Sequence, residues 1–182
     1  MRNNAFYLAP VALFEKTGIK PIVLTLTGAI ITSASGYFFA SGDFLPAGII
    51  MAIGSILDLF DGELARRTDQ VTRFGGFIDS TLDRLSEFAI FLGLFLHYQG
   101  RMEIIVLATL FATQMVSYTR ARAEGVGWSC RGGILTRGMR VILLFIGAML
   151  GSYYMRYIIG IILIGSVVTF LQRIWIARAQ RD

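Results

Sequence analysis

The sequence predicts an all-α integral membrane protein in which six transmembrane helices follow an N-terminal interfacial amphipathic helix. Of its 182 residues, 55% are hydrophobic and only 16% are charged, whereas an ordinary globular domain is about 25% charged. The apolar residues fall into six stretches, each near the ~20 residues that a bilayer-crossing helix needs. Lys and Arg gather in the segments that would lie on one side of the membrane.

Residues 1–20 mix apolar side chains with Arg2, Glu15, Lys16 and Lys20, and Pro10 interrupts the apolar run. The run is too short to cross a bilayer and lacks the long apolar region and small-residue cleavage site of a signal peptide. We therefore expect residues 1–20 to lie in the membrane interface. Residues 21–182 are expected to form one six-helix transmembrane domain.

The six predicted spans are separated by short connections that carry Gly, Ser or charged residues. They run over 21–40, 44–66, 75–97, 102–124, 133–152 and 155–177. Because the number of spans is even, both termini lie on one side. Every Lys and Arg falls on that side except Arg101 and Arg156, so the positive-inside rule makes it cytoplasmic.

The composition also excludes several classes of protein. A net charge of +5 and a pI near 9.7 would suggest nucleic-acid binding in a soluble protein, but here the basic residues follow the membrane topology, so no nucleic-acid partner is predicted. Cys130 and His97 are the single Cys and His, which excludes a disulfide framework and a Cys/His metal site. Any metal must be held by oxygen ligands.

Spans two and three carry acidic residues, which are costly inside a membrane unless they are paired or serve a site. Asp58 and Asp61 are three residues apart, and Asp79 and Asp83 four apart, so each pair projects from one face of its helix. The short loop between the spans predicts antiparallel neighbours with the two pairs facing each other. Four converging carboxylates suit Mg²⁺ or Mn²⁺, as one or two ions.

Small residues lie among these acids. Gly62, Ala65 and Gly75 would let a nucleotide or phosphate approach the backbone, although they would equally serve close helix packing. Arg66 lies about one turn beyond Asp61, where its guanidinium can bind a phosphate.

These residues resemble the signature of the CDP-alcohol phosphotransferase family. The matching pattern is Asp58-x2-Asp61-Gly62-x2-Ala65-Arg66-x8-Gly75-x3-Asp79-x3-Asp83. The resemblance implies a homodimer in the prokaryotic cytoplasmic membrane, with its active site facing the cytoplasm. It also implies an Mg²⁺- or Mn²⁺-dependent enzyme that transfers a phosphatidyl-type group from a CDP-lipid, CDP-diacylglycerol or CDP-archaeol, to the hydroxyl of a polar acceptor and releases CMP in phospholipid biosynthesis.

The resemblance also implies roles for individual residues. Asp83 would be the general base. The metal ligands would be Asp58, Asp61, Asp79 and Asp83. The CDP-binding residues would be Asp58, Asp61, Gly62, Ala65, Arg66, Gly75 and Asp79.

The acceptor is indicated by a resemblance to one branch of the family, which makes phosphatidylinositol phosphate or its archaeal ether-lipid counterpart. The run Ser80-Thr81-Leu82-Asp83-Arg84 and the pair Arg137-x2-Arg140 are similar to that branch, although Gly138 stands where it often has Pro and Ile22 where it often has Asn. This resemblance implies inositol phosphate as acceptor, with its phosphate bound by Arg122, Arg137 and Arg140. Glycerol phosphate or another alcohol is the alternative.

A function of another class is a divalent-cation transporter whose acidic cluster is the ion site. Transporters often contain internal repeats and broken helices near the membrane midplane. This sequence shows no convincing repeat, and its acidic residues cluster toward one membrane face. The enzyme is therefore favoured, and CMP release that depends on the acidic residues distinguishes the two.

Overall fold

The described part of the chain, residues 5–130 and 132–180 of a computed structural model, is all-helical. It contains seven helices and no strand: α1 (Ala5–Thr17), α2 (Pro21–Ser41), α3 (Phe44–Arg67), α4 (Arg73–His97), α5 (Arg101–Gly125), α6 (Arg137–Leu150) and α7 (Ser152–Arg178). The predicted fold class is confirmed to this extent. Residues 1–4 of the predicted interfacial segment lie outside the described residues.

Four of these helices, α2, α3, α5 and α7, are long and apolar enough to cross a membrane by length and composition. Helix α4 has 25 residues, but it carries Asp79, Asp83, Arg84 and Glu87 within its first 15. Helix α6 has 14 residues, about 21 Å at 1.5 Å per residue, which is less than the ~30 Å of a hydrocarbon core. The four long apolar helices make the chain an integral membrane protein.

The fifth predicted span differs from the structure. The sequence predicts one helix over 133–152, but α6 begins only at Arg137 and ends at Leu150. Gly133 has a φ of 131°, which a helix does not accept, and the segment 132–136 runs along α7 instead. There the Leu135 N–H donates to Thr169 Oγ1 at 2.9 Å, so side chains of α7 replace the missing helical partners of its backbone.

Glycines allow α3 and α4, the two helices that carry the acidic pairs, to pack closely against α2. A Cβ at Gly54 would lie 2.7 Å from the Gly28 carbonyl oxygen, and a Cβ at Gly93 would overlap the Gly36 carbonyl. Helices α3 and α4 therefore each pack closely along α2. The short loop predicts α3 and α4 as direct neighbours, but in the structure both pack on α2, and a cavity separates them near the α3–α4 loop.

The rest of the chain closes around this group. The main apolar core combines residues of α2 to α7, including Phe39, Met51, Leu94, Leu144 and Ile159. Helix α1 covers the end of α3, where Val11 packs with Leu24 and Leu64. An ion pair of 3.7 Å between Arg67 and Glu15 adds to this contact, so α1 is attached beside the acidic end of α3.

Candidate active site

Three carboxylates meet where α3 and α4 diverge. Asp58, Asp61 and Asp79 each place one carboxylate oxygen within 4.8 Å of the others. Asp61 is only 6% exposed, and its Oδ2 atom has no hydrogen-bond partner among the described residues. A buried oxygen without a partner is costly, and a hard divalent cation is the ligand that three clustered carboxylates suit. The three residues therefore fit a metal ion.

Asp83, the fourth aspartate of the pattern, lies outside this group of three. Arg137 contacts Asp83 Oδ1, and Arg84 Nη2 lies 3.8 Å from Asp83 Oδ2. Arg137 also reaches the metal group, because its Nη1 donates to Asp58 Oδ2 at 2.9 Å. One guanidinium thus connects a candidate metal ligand with the candidate base.

A cavity of about 710 Å³ opens beside the carboxylates, between the start of α2, the end of α3 and the start of α4. All of the small and basic residues that the sequence assigned to CDP lie on its wall, which also includes Asp61 and Asp79. The wall residues from the predicted set are Gly62, Ala65, Arg66, Gly75, Asp61 and Asp79. Asp58 lies next to them in the carboxylate cluster.

Local interactions explain the shape of this cavity. Thr72 caps α4, since its Oγ1 accepts the Gly75 N–H at 2.9 Å, and a Cβ at Gly75 would lie 2.9 Å from that hydroxyl. At Gly62 a Cβ would meet only the Arg66 guanidinium, 3.6 Å away, among the described residues. Gly75 thus permits the cap, and Gly62 leaves open volume. The end of α3 and the start of α4 therefore remain accessible to a ligand in the cavity.

Sequence reasoning missed three polar residues of the cavity wall, Lys20, Gln70 and Thr72. They lie in the α1–α2 and α3–α4 connections, where charge is common in any membrane protein. Arg66 was predicted, and Glu63 holds its guanidinium through Nη2 at 2.9 Å. Lys20 and Arg66 give the wall two positive charges.

The three arginines assigned to the acceptor phosphate have different surroundings. Arg122 is exposed near the end of α5, and Arg137 lies at the carboxylates. Arg140 is only 2% exposed, and its Nη1 donates to the Thr113 carbonyl at 3.2 Å.

Sequence reasoning also missed the burial of Arg173, which is 6% exposed and donates from Nε to the Gly132 carbonyl at 3.0 Å. The available signal was its position inside the sixth predicted span, 155–177, where a charged residue is costly unless it has partners.

Carboxylates that suit a divalent cation, beside a cavity with cationic walls, define a metal-dependent site for an anionic ligand in a helical membrane protein. The family model of CDP-alcohol phosphatidyltransferase matches residues 19–172. The chain therefore belongs to the CDP-alcohol phosphatidyltransferase family, and it is a metal-dependent transferase of phospholipid biosynthesis.

Individual relatives agree with this assignment. The chain is 41% identical to the archaetidylinositol phosphate synthase of Pyrococcus horikoshii over 91% of this chain and 87% of that one. It is 32% identical to the phosphatidylinositol phosphate synthase of Streptomyces avermitilis over 95% of this chain and 78% of that one.

Two solved structures share the fold. The Mycobacterium tuberculosis phosphatidylinositol phosphate synthase with CDP-DAG bound superposes with a TM-score of 0.86 at 27% identity and covers 96% of this chain and 94% of that chain. The same enzyme in complex with manganese and citrate gives a TM-score of 0.86 at 28% identity, covering 94% and 88%. The predicted use of Mg²⁺ or Mn²⁺ is confirmed by this manganese complex together with the carboxylate cluster.

Proposed function

We propose that this protein transfers a phosphatidyl-type group from CDP-diacylglycerol or CDP-archaeol to a hydroxyl of inositol phosphate and releases CMP. The observation that carries the proposal is the cavity wall on which Asp61 and Asp79 of the carboxylate cluster stand together with Arg66. The relatives named as archaetidylinositol phosphate and phosphatidylinositol phosphate synthases support inositol phosphate as the acceptor.

The donor would occupy the cavity between α3 and α4. Gly62, Ala65 and Gly75 leave room for the nucleotide, while Arg66 binds phosphate oxygens through its guanidinium. Asp58, Asp61 and Asp79 would hold the divalent cation, with Asp83 close enough to contribute. When bound, the ion neutralises charge on the pyrophosphate and makes CMP a better leaving group.

Asp83 is proposed as the general base. Its carboxylate would take the proton of the acceptor hydroxyl, which attacks the lipid-linked phosphorus as the bond to CMP breaks. Arg137 contacts Asp83 Oδ1, so the base is fixed next to the carboxylate cluster. Such a fixed position favours an acceptor that arrives in line with the leaving group.

The acceptor phosphate is proposed to bind on the basic side of the site. Arg137 is the best placed of the predicted residues, since it is only partly buried and lies beside the base. Arg122 would attract the anion at the exposed end of α5. Arg140 is buried beside Glu87 at 3.2 Å, so it would support the phosphate site indirectly, through the turn of α6 that it shares with Arg137.

We further propose the membrane arrangement that the sequence indicates. Six spans, α2 to α7, would form the domain of residues 21–182, with both termini and the active site facing the cytoplasm. The non-helical residues 132–136, which run along α7, would lengthen the crossing that α6 makes. Residues 1–20 would lie in the interface as an amphipathic helix. The family resemblance supports a homodimer, and mass measurement of the protein in a nanodisc would test it.

The experiment is CMP release by the purified protein in nanodiscs with Mg²⁺. Both CDP-lipids are offered with inositol phosphate, inositol, glycerol phosphate or serine. We expect release with inositol phosphate, abolished by Asp83→Asn and retained by the control Asp43→Asn, because the Asp43 side chain is exposed beyond the far end of α2 and makes no cap hydrogen bond within the described structure.

Other outcomes assign a different function. Release with glycerol phosphate alone would replace the acceptor and keep the reaction. Ion flux without CMP release, lost in Asp61→Asn, would favour the cation transporter instead.

A further inference from the structure

An acidic residue outside the family signature continues the carboxylate stripe of α4. Glu87 follows Asp83 by one turn and Asp79 by two turns, so the three project from the same face of the helix. Its side chain is buried, with 9% exposure. Two arginines approach it, Arg140 with Nε 3.2 Å from Oε1 and Arg84 with Nη1 3.6 Å from Oε2.

Arg140 connects α6 to two other helices. Its Nε faces Glu87 of α4 at 3.2 Å, and its Nη1 donates to the Thr113 carbonyl of α5 at 3.2 Å. With 2% exposure, it is closed to a ligand in this structure. A buried cation without a counter-charge is strongly destabilising, so the Glu87 carboxylate is what permits Arg140 at this depth.

The same helical turn carries Arg137. Arg137 is the first residue of α6 and Arg140 the fourth, so the two side chains lie on one face. The preceding residue, Thr136, makes no side-chain cap hydrogen bond in the described structure, and the chain before it is not helical. The segment before the turn is held on α7 by the Leu135–Thr169 hydrogen bond, and Arg140 anchors the turn itself to α4 and α5.

We propose that the Glu87–Arg140 ion pair is a positioning element that fixes the first turn of α6 so that Arg137 lies against Asp58 and Asp83. The inference rests on the proposed function for its catalytic consequence. Arg137 places positive charge 2.9 Å from Asp58 Oδ2, so it opposes a divalent cation bound to the same carboxylate cluster. Release of Arg137 should therefore raise metal affinity while it impairs transfer.

The test removes both charges together. The double variant Glu87→Met, Arg140→Met replaces the pair with apolar side chains of similar length, a change that buried ion pairs often tolerate. We measure the Mn²⁺ dissociation constant by electron paramagnetic resonance, the melting temperature, and kcat with KM for each substrate. Arg137→Met is the reference variant. Glu124→Gln is the control, because it breaks only the exposed Arg120–Glu124 pair of 2.9 Å.

We expect the double variant to bind Mn²⁺ more tightly and lose kcat, both by about tenfold, the order of one charge-assisted contact. Arg137→Met should shift Mn²⁺ binding in the same direction, and Glu124→Gln should match the wild type. A purely structural pair would leave the Mn²⁺ constant unchanged in a folded double variant, which would overturn the proposal. An unchanged constant in Arg137→Met would overturn it as well.

Arg140→Lys provides a second variant if the double variant does not fold. It keeps the positive charge beside Glu87 but loses the planar fork that reaches Glu87 and Thr113 at once. Mn²⁺ should again bind more tightly, and an unchanged constant would contradict the inference. If the wild type releases no CMP with any acceptor, the proposed function fails, whereas the Mn²⁺ comparison still decides whether the pair positions Arg137.

Discussion

Arg137 donates from Nη1 to Asp58 Oδ2 at 2.9 Å, and its Nη2 contacts Asp83 Oδ1. A single side chain of α6 thereby joins a carboxylate of α3 to one of α4. The two acidic residues have different neighbours, since Asp58 belongs to the group of three that fits a metal ion and Asp83 does not. Arg137 therefore lies at the boundary between the metal site and the base.

Replacing Arg137 by Lys tests the acceptor site. Lysine keeps the charge but loses the planar guanidinium, which can bind a phosphate through two parallel N–H groups. We expect kcat/KM for inositol phosphate to fall about 10- to 100-fold, which corresponds to ~1.5–3 kcal/mol for a charged hydrogen bond. The KM of the CDP-lipid should stay unchanged. Arg101→Lys at the opposite, exposed end is the control, and an equal loss with unphosphorylated inositol would contradict a phosphate contact.

The melting temperature of the Asp61→Asn variant tests whether Asp61 is a ligand of the metal ion. Since Asp61 is 6% exposed and its Oδ2 is unpartnered in the described structure, the charge costs folding energy without a cation. In EDTA we expect the variant to melt at or above the wild-type temperature. Added Mn²⁺ should raise the melting temperature of the wild type only. A similar Mn²⁺ effect on both proteins would exclude Asp61 as a ligand.

The spacing of acidic residues predicted the carboxylate cluster because a helix has a fixed period. Asp58 and Asp61 must share a face, and intramembrane charge is too costly to occur without a partner or a site. Gly62, Ala65, Arg66 and Gly75 came from the signature, and each lines the cavity. Local periodicity and the cost of burial are properties of sequence, so this part of the site was predictable.

The remaining features depend on contacts between distant segments. Hydropathy could not distinguish the non-helical residues 133–136 from a helix, because the side-chain partner of the Leu135 N–H, Thr169, is 34 residues away in the sequence. The packing of α3 and α4 on α2 depends on Gly28 and Gly36, whose neighbours the sequence does not reveal. Likewise, Arg140 and Arg122 look alike in sequence, although one is buried and the other exposed.

The Gly62→Ala variant tests whether the cavity holds the donor. A Cβ at Gly62 would enter the cavity and approach only the Arg66 guanidinium, at 3.6 Å, within the described structure. The fold should tolerate it, because alanine favours a helix over glycine by about 1 kcal/mol. We expect KM for the CDP-lipid to rise about fivefold or more, with an unchanged melting temperature. Gly160→Ala on α7 is the control, and equal KM values in both variants would place the donor elsewhere.

The Gly93→Ala variant tests whether α2 sets the distance between α3 and α4. A Cβ at Gly93 would overlap the Gly36 carbonyl, and backbone cannot move aside as a flexible side chain can. Overpacking of this kind costs about 1–3 kcal/mol, so we expect a lower melting temperature.

Helix α4 would also be forced away from α2 and would carry Asp79, about 21 Å along the helix, away from Asp58 and Asp61. Mn²⁺ affinity should therefore fall together with stability. Gly160→Ala should change neither, because a Cβ there meets no described atom within 4 Å. Unchanged Mn²⁺ affinity in a destabilised Gly93→Ala would show that the carboxylate cluster does not depend on the α2–α4 contact.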